Sequence, residues 1–355
     1  MSLTQFLSDL KCIFTEADKT WIKRHRLLNT ATVFDTLYGA CTRNRGLVHI
    51  IAESQSKFSD VAIHNARVKI PLETFKKVNT SIIQTQKRVN SSRIFAVDGS
   101  KVHVHPSFEK YGYKTRTNDV KVTRLAKRPL VMLSALVDVK TKLCHDFVMT
   151  KHFNERAAAL VLAQHLIPGD TMVFDRGYYS KHLSISLMKM KLKFVFRLKK
   201  DAFKSATTFY NSKCLDMHTI LEDESEVCMP VRLVKYFIDG RKYMCLTNIM
   251  TESRSIIKSM YGMRWEIELA FKRLKSNLKL EYSHSMSPVL YNQEVEMRVL
   301  MDTLTLLLQE RGKAASMSNG RSKKNTYLFV MDVVLKQFII NLQILAAKCR
   351  RQGLG

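Results

Sequence analysis

Hydrophobic and polar positions change period several times along this chain, and the changes mark its elements. Up to about residue 90 the spacing is helical. PLETFKKVNTSIIQTQKRV carries apolar residues at helical intervals behind Pro71, which suits a first turn. TATVFDTLYGACTRNRGLVHIIAESQ predicts one or two further helices broken near Gly46. At Ser91 the period switches. Ile94 to Val97 is a continuous apolar run closed by Asp98-Gly99, the pattern of a buried strand entering a turn. PLVMLSALVDVKTKLCHDFVMTK predicts two strands joined near Asp138–Lys142. NERAAALVLAQHL opens with Asn154 and Glu155, a helix start, and continues in strong helix formers. DTMVFDRGYYS is a short apolar strand ending in Asp175, YYSKHLSISLMKMK a helix and KFVFRLKK a strand. The order β, β, β, α, β, α, β indicates an α/β core with a mixed sheet.

From about Lys199 to Asn248 the helical pattern lapses. ESEVCMPVRLVKYFIDGRKYMCLTN predicts short strands, with Asp239-Gly240 as a hairpin turn. Beyond Tyr282 two helical stretches, EVEMRVLMDTLTLLLQE and YLFVMDVVLKQFIINLQILAAK, flank the polar linker RGKAASMSNGRSKKN. The expected organisation is a helical region at 1–90, a core at 91–198 and 249–290, a β-rich insertion at 199–248 and a helical region at 291–355. Region 1–90 reads equally well as a small DNA-binding bundle or as a plain helical cap on the core.

Between insertion and tail lies YGMRWEIELAFKRLK, Tyr261 to Lys275. On one helix at about 100° per residue, Tyr261, Arg264, Glu268 and Lys275 fall within an arc of roughly 60°. Ile267, Ala270, Phe271 and Leu274 form the adjoining apolar stripe. Glu266 points more than about 90° away from Glu268. Taken alone, Arg264 and Glu268 read as a surface i,i+4 ion pair.

Charge changes that picture. Lysine and arginine number 58 against 31 acidic residues, a formal net charge of +27 spread along the chain. This argues against an enzyme of small neutral metabolites and for a polyanion partner, nucleic acid before an anionic membrane. With 46% hydrophobic residues the chain can build a sizeable core. No apolar run reaches the ~18 residues of a membrane span, and the start MSLTQFLSDLKCIF has no signal-peptide pattern. The seven cysteines contain no CxxC pair and read as reduced thiols of a cytoplasmic (nucleoid-associated) or nuclear protein.

Against that background the acidic residues matter. Asp98 and Asp175 each end an apolar strand, where a lone carboxylate is costly and where ligands gather in open α/β sheets. If they sit on neighbouring strands with Glu268 above them, three hard oxygen donors suit two Mg²⁺ or Mn²⁺ ions acting on a phosphodiester. Singly, each aspartate reads as a turn cap. His103 and His105 share a strand face and read as ordinary strand histidines, and Asp138 as a turn residue. Lys191, Lys193, Arg197 and Lys199 fall on one strand face, either lining a DNA channel or solvated. Trp265, beside Tyr261 on the wheel, either stacks on a base or packs under the insertion.

Asp98-Gly99-Ser100, the turn Asp175-Arg176-Gly177-Tyr178 and Tyr261-x2-Arg264-x3-Glu268-x6-Lys275 resemble the DDE transposases of the insertion-sequence-4 family. The last pattern is similar to that family's Y–R–E–K signature. The resemblance spans about residues 59–310, including SDVAIHNARVKIPLETF and Thr247-Asn248. It implies an RNase H-like core with a β insertion, in which Asp98, Asp175 and Glu268 hold two Mg²⁺ (or Mn²⁺) ions. It implies that Tyr261, Arg264 and Lys275 contact phosphates of double-stranded DNA near the cleaved end; Trp265 and Arg176 are further candidate DNA contacts. Cleavage at terminal inverted repeats, strand transfer into target DNA and a homodimeric synaptic complex would follow. A non-catalytic DNA-binding descendant and a structure-specific nuclease are the alternatives. The loop Pro106–Pro129 and the tail after Glu310 match nothing in the family pattern.

Overall fold

The computed structural model describes residues 3–22, 28–54, 57–84, 93–115, 128–222 and 228–316. The second predicted tail helix and half of the Pro106–Pro129 loop, residues 116–127, lie outside these residues. Contacts divide the chain into two compact units. One comprises Met1–Lys87, Val102–Val131 and Lys272–Gly355; the other comprises Arg88–Lys101 and Met132–Phe271.

The first unit is helical: α1 (Leu3–Trp21), α2 (Thr30–Arg43), α3 (Leu47–Glu53), α4 (Asp60–Lys69), α5 (Leu72–Gln84) and, from the far end of the chain, α11 (Pro288–Ser316). Starts are fixed by side-chain caps: Asn29 accepts the Thr32 amide and Ser59 the Ala62 amide. Gly46 precedes α3, where the sequence pattern broke. Helix α11 packs on α5, α2 and α4. It carries charge into the interior of this unit, with Glu294 and Arg298 of α11 both buried, as is Arg67 of α4. Glu294 stands 3.6 Å from Arg67 and 3.5 Å from Arg298. The guanidiniums spend their other donors on the Leu290 carbonyl (Arg67, 3.0 Å) and the Leu278 carbonyl (Arg298, 3.0 Å).

The second unit is built on a sheet of eight strands: β1 (Ile94–His103), β2 (Leu130–Asp138), β3 (Cys144–Thr150), β4 (Thr171–Phe174), β5 (Lys193–Arg197), β6 (Asp216–Glu222), β7 (Cys228–Ile238) and β8 (Arg241–Thr247). Their order is β3-β2-β1-β4-β5-β8-β7-β6. β1, β4 and β5 run parallel, and the pairs β2–β3, β5–β8, β8–β7 and β7–β6 antiparallel. This is the mixed α/β sheet that the periodicity indicates. Helices α6 (Glu155–Ala163) and α7 (Lys181–Lys189) supply the crossovers that parallel strands require. Ala159, Leu162, Leu183 and Leu187 bury against Phe95, Met172, Phe174, Phe194 and Phe196. The rings of Phe174 and Phe196 stack with centroids 4.4 Å apart.

Residues 199–248 supply β6 to β8, which continue this same sheet. The Asp239-Gly240 turn has both residues left-handed, φ 48° and 73°, the geometry a two-residue hairpin needs. Thr247 and Asn248 stitch β8 to β5: the Thr247 hydroxyl donates to the Phe194 carbonyl (2.6 Å) and the Asn248 side chain accepts the Phe194 amide (2.9 Å). One helix in this stretch, α8 (Lys204–Asn211), was not expected from the pattern. KSATTFYN is too short and threonine-rich to signal a helix, and it forms because Ala206 and Phe209 bury against the sheet.

Candidate active site

Parallel pairing sets the first two carboxylates side by side. Ala96 of β1 stands opposite Val173 of β4, so two residues further on Asp98 comes level with Asp175. Adjacent strands lie about 4.8 Å apart, so the two residues are neighbours. Asp98-Gly99 is not the turn that the sequence pattern predicts: β1 runs on through it to His103, so Asp98 lies mid-strand, whereas Asp175 follows the last residue of β4. The Asp98 carboxylate accepts the Gly99 amide at 2.9 Å.

Tyr261 to Lys275 is not the single helix that the wheel assumes. It consists of α9 (Arg254–Gly262), a turn at 263–264, α10 (Trp265–Lys272) and a π-helical turn, Arg273–Asn277. At the break the amides of Arg264, Glu266 and Ile267 reach back three residues, to Tyr261, Met263 and Arg264. Gly262, a poor helix former, precedes the tightened turn. The turn still brings Tyr261, Arg264 and Glu268 to the aspartates. The Tyr261 hydroxyl donates to Asp175 at 3.2 Å. Arg264 donates to Glu268 at 2.6 Å and stands 3.8 Å from Asp98. Arg197 lies 3.9 Å from Asp175. Glu266 turns away and pairs with Lys142 at 3.2 Å, as the wheel requires.

The remaining candidates fall differently. Trp265 is 59% exposed and so does not pack under the sheet extension. Arg176 is exposed on the turn after β4. Lys275 belongs to the helical unit, where its ammonium lies 4.0 Å from Glu281 and burial lowers its pKa. His105 caps a 3-10 turn by accepting the Ser107 amide, and Asp138 accepts the amides of Lys140 and Thr141 in its turn. Both are structural. Lys191 lies outside β5 in a left-handed turn, φ 57°, so the four cations do not form one strand face.

A fourth carboxylate also reaches the site, and the sequence reading missed it. Glu155, assigned there only to a helix start, stands in the first turn of α6 beneath the Asn154 cap. A methyl group on Gly99 would lie 3.0 Å from Glu155 Oε1 and 2.8 Å from the Met132 sulfur. No local pattern signals this, since only the tertiary fold brings α6 beside Gly99 in the middle of β1.

These charges strain the site. Burial, the largest cause, and the charges of Asp175 and Glu268 push the Asp98 carboxyl above its ordinary value, against the Gly99 amide and Arg264. Burial and Asp98 do the same to Glu155. Burial also pushes the Tyr261 phenol up to about 12. A carboxyl raised in the folded state stabilises the fold when protonated, and that stability is lost as pH rises through the raised value. Asp98→Asn is therefore expected to raise the Tm of the metal-free protein at neutral pH by about 2–4 °C, the shift roughly 1 kcal/mol produces in a unit of this size. Thermal unfolding in chelator checks it.

Carboxylates are the donor type that a hard divalent cation takes. Arg264 is the cation now placed between Asp98 and Glu268. Among the described residues no three His, Cys, Asp or Glu side chains already stand at ligand spacing. The donors fit Mg²⁺ or Mn²⁺ in kind, with Glu268 held back by its ion pair.

Residues 90–301, more than half of the chain, match the family described as transposase DDE domain. No curated protein matches the chain. Among solved structures, a cryo-EM structure of the piggyBac transposase synaptic complex with hairpin DNA is similar in fold, with a TM-score of 0.52 and 10% sequence identity, covering 95% of this chain and 78% of that chain.

Proposed function

This chain belongs to the family with a transposase DDE domain, and from that premise we propose that it is an active transposase of the insertion-sequence-4 type. It would cleave DNA at the terminal inverted repeats of its element and transfer the freed strands into a target. The observation that carries this reading is the level placement of Asp98 and Asp175 on neighbouring parallel strands, with Arg264 pairing Glu268 and reaching Asp98. Pure binding needs no carboxylates facing phosphate.

In this reading Asp98, Asp175 and Glu268 hold two Mg²⁺ or Mn²⁺ ions. When bound, such ions activate a water or 3′-hydroxyl and stabilise the leaving oxygen. Tyr261 steadies Asp175 through its hydroxyl. Arg264 exchanges its carboxylate partners for a DNA phosphate, which frees Glu268. Lys275 and Arg176 meet further phosphates, and the exposed ring of Trp265 stacks on a base. The helical region 1–90 would bind DNA, with two copies of the protein in the synaptic complex. Among the described residues no helix is long and apolar enough to cross a membrane, and the protein would act where DNA is held, in the nucleoid or nucleus.

The direct test is metal-dependent nicking and joining of DNA that carries the element's own ends. Nicking without joining of pre-cut ends would make it a structure-specific nuclease. The Arg264 pairing, which engages two of the three carboxylates, favours one second reading, a DNA-binding descendant without catalysis; an inactive protein that still binds DNA would establish it. Arg264→Ala and Lys275→Ala are each expected to weaken binding to all sequences alike and to reduce the salt slope by about 1. Filter binding across a salt series measures this, and a loss confined to one DNA sequence would contradict the phosphate role.

A further inference from the structure

Tyr178 is 2% exposed, and its hydroxyl is a buried polar atom without a hydrogen-bond partner. It faces Asp98 and feels the charge of Glu155, but it makes no hydrogen bond of sound geometry to either. A buried hydroxyl left unmatched is costly, and folded proteins seldom leave one without a reason. The side on which this one opens carries two carboxylates, Asp98 and Glu155, the second reaching 3.0 Å from the place a Gly99 side chain would fill. Gly99, lacking a side chain, lets Glu155 come against the backbone beside Asp98. Arg264 is engaged by Glu268 at 2.6 Å and stands 3.8 Å from Asp98. Glu155 feels Lys101 and Arg156, but each has another engagement: Lys101 lies 5.9 Å over the Phe153 ring and Arg156 donates to the Gly177 carbonyl.

The geometry points to a role for Glu155 and Tyr178 as cation-positioning residues, holding the waters of a divalent ion bound at Asp98. Mg²⁺ takes one or two carboxylates directly and keeps most of its waters, so the site needs no third protein ligand at bonding distance. Glu155 accepts from those waters. The Tyr178 hydroxyl donates to the Asp98 oxygen or accepts from a water, whichever the bound ion leaves open. This rests on the reading of Asp98 as a metal ligand.

The test is Mn²⁺ binding to the full chain without DNA, followed by the electron paramagnetic resonance of free Mn²⁺. Glu155→Gln and Tyr178→Phe are each expected to weaken binding about 10-fold or more, the usual effect of removing a group that orients a metal's ligands. Glu266→Gln, a carboxylate paired with Lys142, should leave binding unchanged. In chelator neither Glu155→Gln nor Tyr178→Phe should lower the Tm, whereas the rise in Tm on adding Mn²⁺ should shrink in both. Wild-type affinity in both variants, with binding lost in Asp98→Asn, overturns this inference and leaves the site reading standing. No saturable binding in the wild type overturns both. If Glu155→Gln does not fold, the near-isosteric Tyr178→Phe decides alone.

Discussion

Glu268→Ala is expected to reduce metal-dependent DNA nicking by at least about 10³-fold, with Asp98→Asn and Asp175→Asn matching it. The magnitude follows from the several kcal/mol that a bound metal ion contributes to a phosphodiester transition state, at about 1.4 kcal/mol per tenfold. Each variant removes one of the charges that would hold the ions, and none removes a core side chain. Asp98→Asn adds a second readout with the opposite sign, because it should be catalytically dead yet more heat-stable in chelator. Carboxylates crowded by burial and by one another are costly to the fold, and an active site retains them for chemistry. An inactive but destabilised Asp98→Asn would mean that Asp98 serves the fold. Wild-type-like nicking by Glu268→Ala would remove the catalytic assignment.

The largest stability effect is expected in the other unit. Glu294→Ala should cost about 3–5 kcal/mol, read from urea unfolding, because it strands the buried guanidiniums of Arg67 and Arg298 without a counter-charge. Burial already depresses the pKa of Arg67, with Glu294 the principal group opposing it. The triple replacement Arg67→Met, Glu294→Leu, Arg298→Met should be far milder than the single one. Removing all three charges together removes their desolvation as well, and apolar replacements of buried ion clusters are often neutral or stabilising. A loss under about 1 kcal/mol in Glu294→Ala would show that water reaches the cluster.

The strand and helix order of the core was legible in advance because buried strands and half-buried helices impose different periods on the apolar residues. The run from Ile94 to Val97, the Asn154 cap and the Asp239-Gly240 turn were each visible in the sequence, and each occurs in the fold. Helix α8 was not visible, since two buried side chains in eight residues leave no periodic trace. The break at 263–264 was missed for a related reason: a wheel assumes uniform winding and cannot register a change in hydrogen-bond span.

The site divides along the same line. Asp98 and Asp175 could be picked out because a charge at the end of an apolar run is anomalous wherever it occurs. Glu268 could be told from Glu266 because two residues on a helix face opposite ways, and Glu266 does pair elsewhere, with Lys142. Residue types, periods and local turns are properties of neighbours in the chain, so the sequence by itself determined the elements, the basic character and the acidic residues worth suspecting. Register, burial and through-space charge depend on which distant segments pack together. Only the tertiary structure therefore decided that Asp98 stands level with Asp175, that Glu155 and Tyr178 close on the same carboxylate, and that an Arg–Glu–Arg cluster lies inside the helical unit.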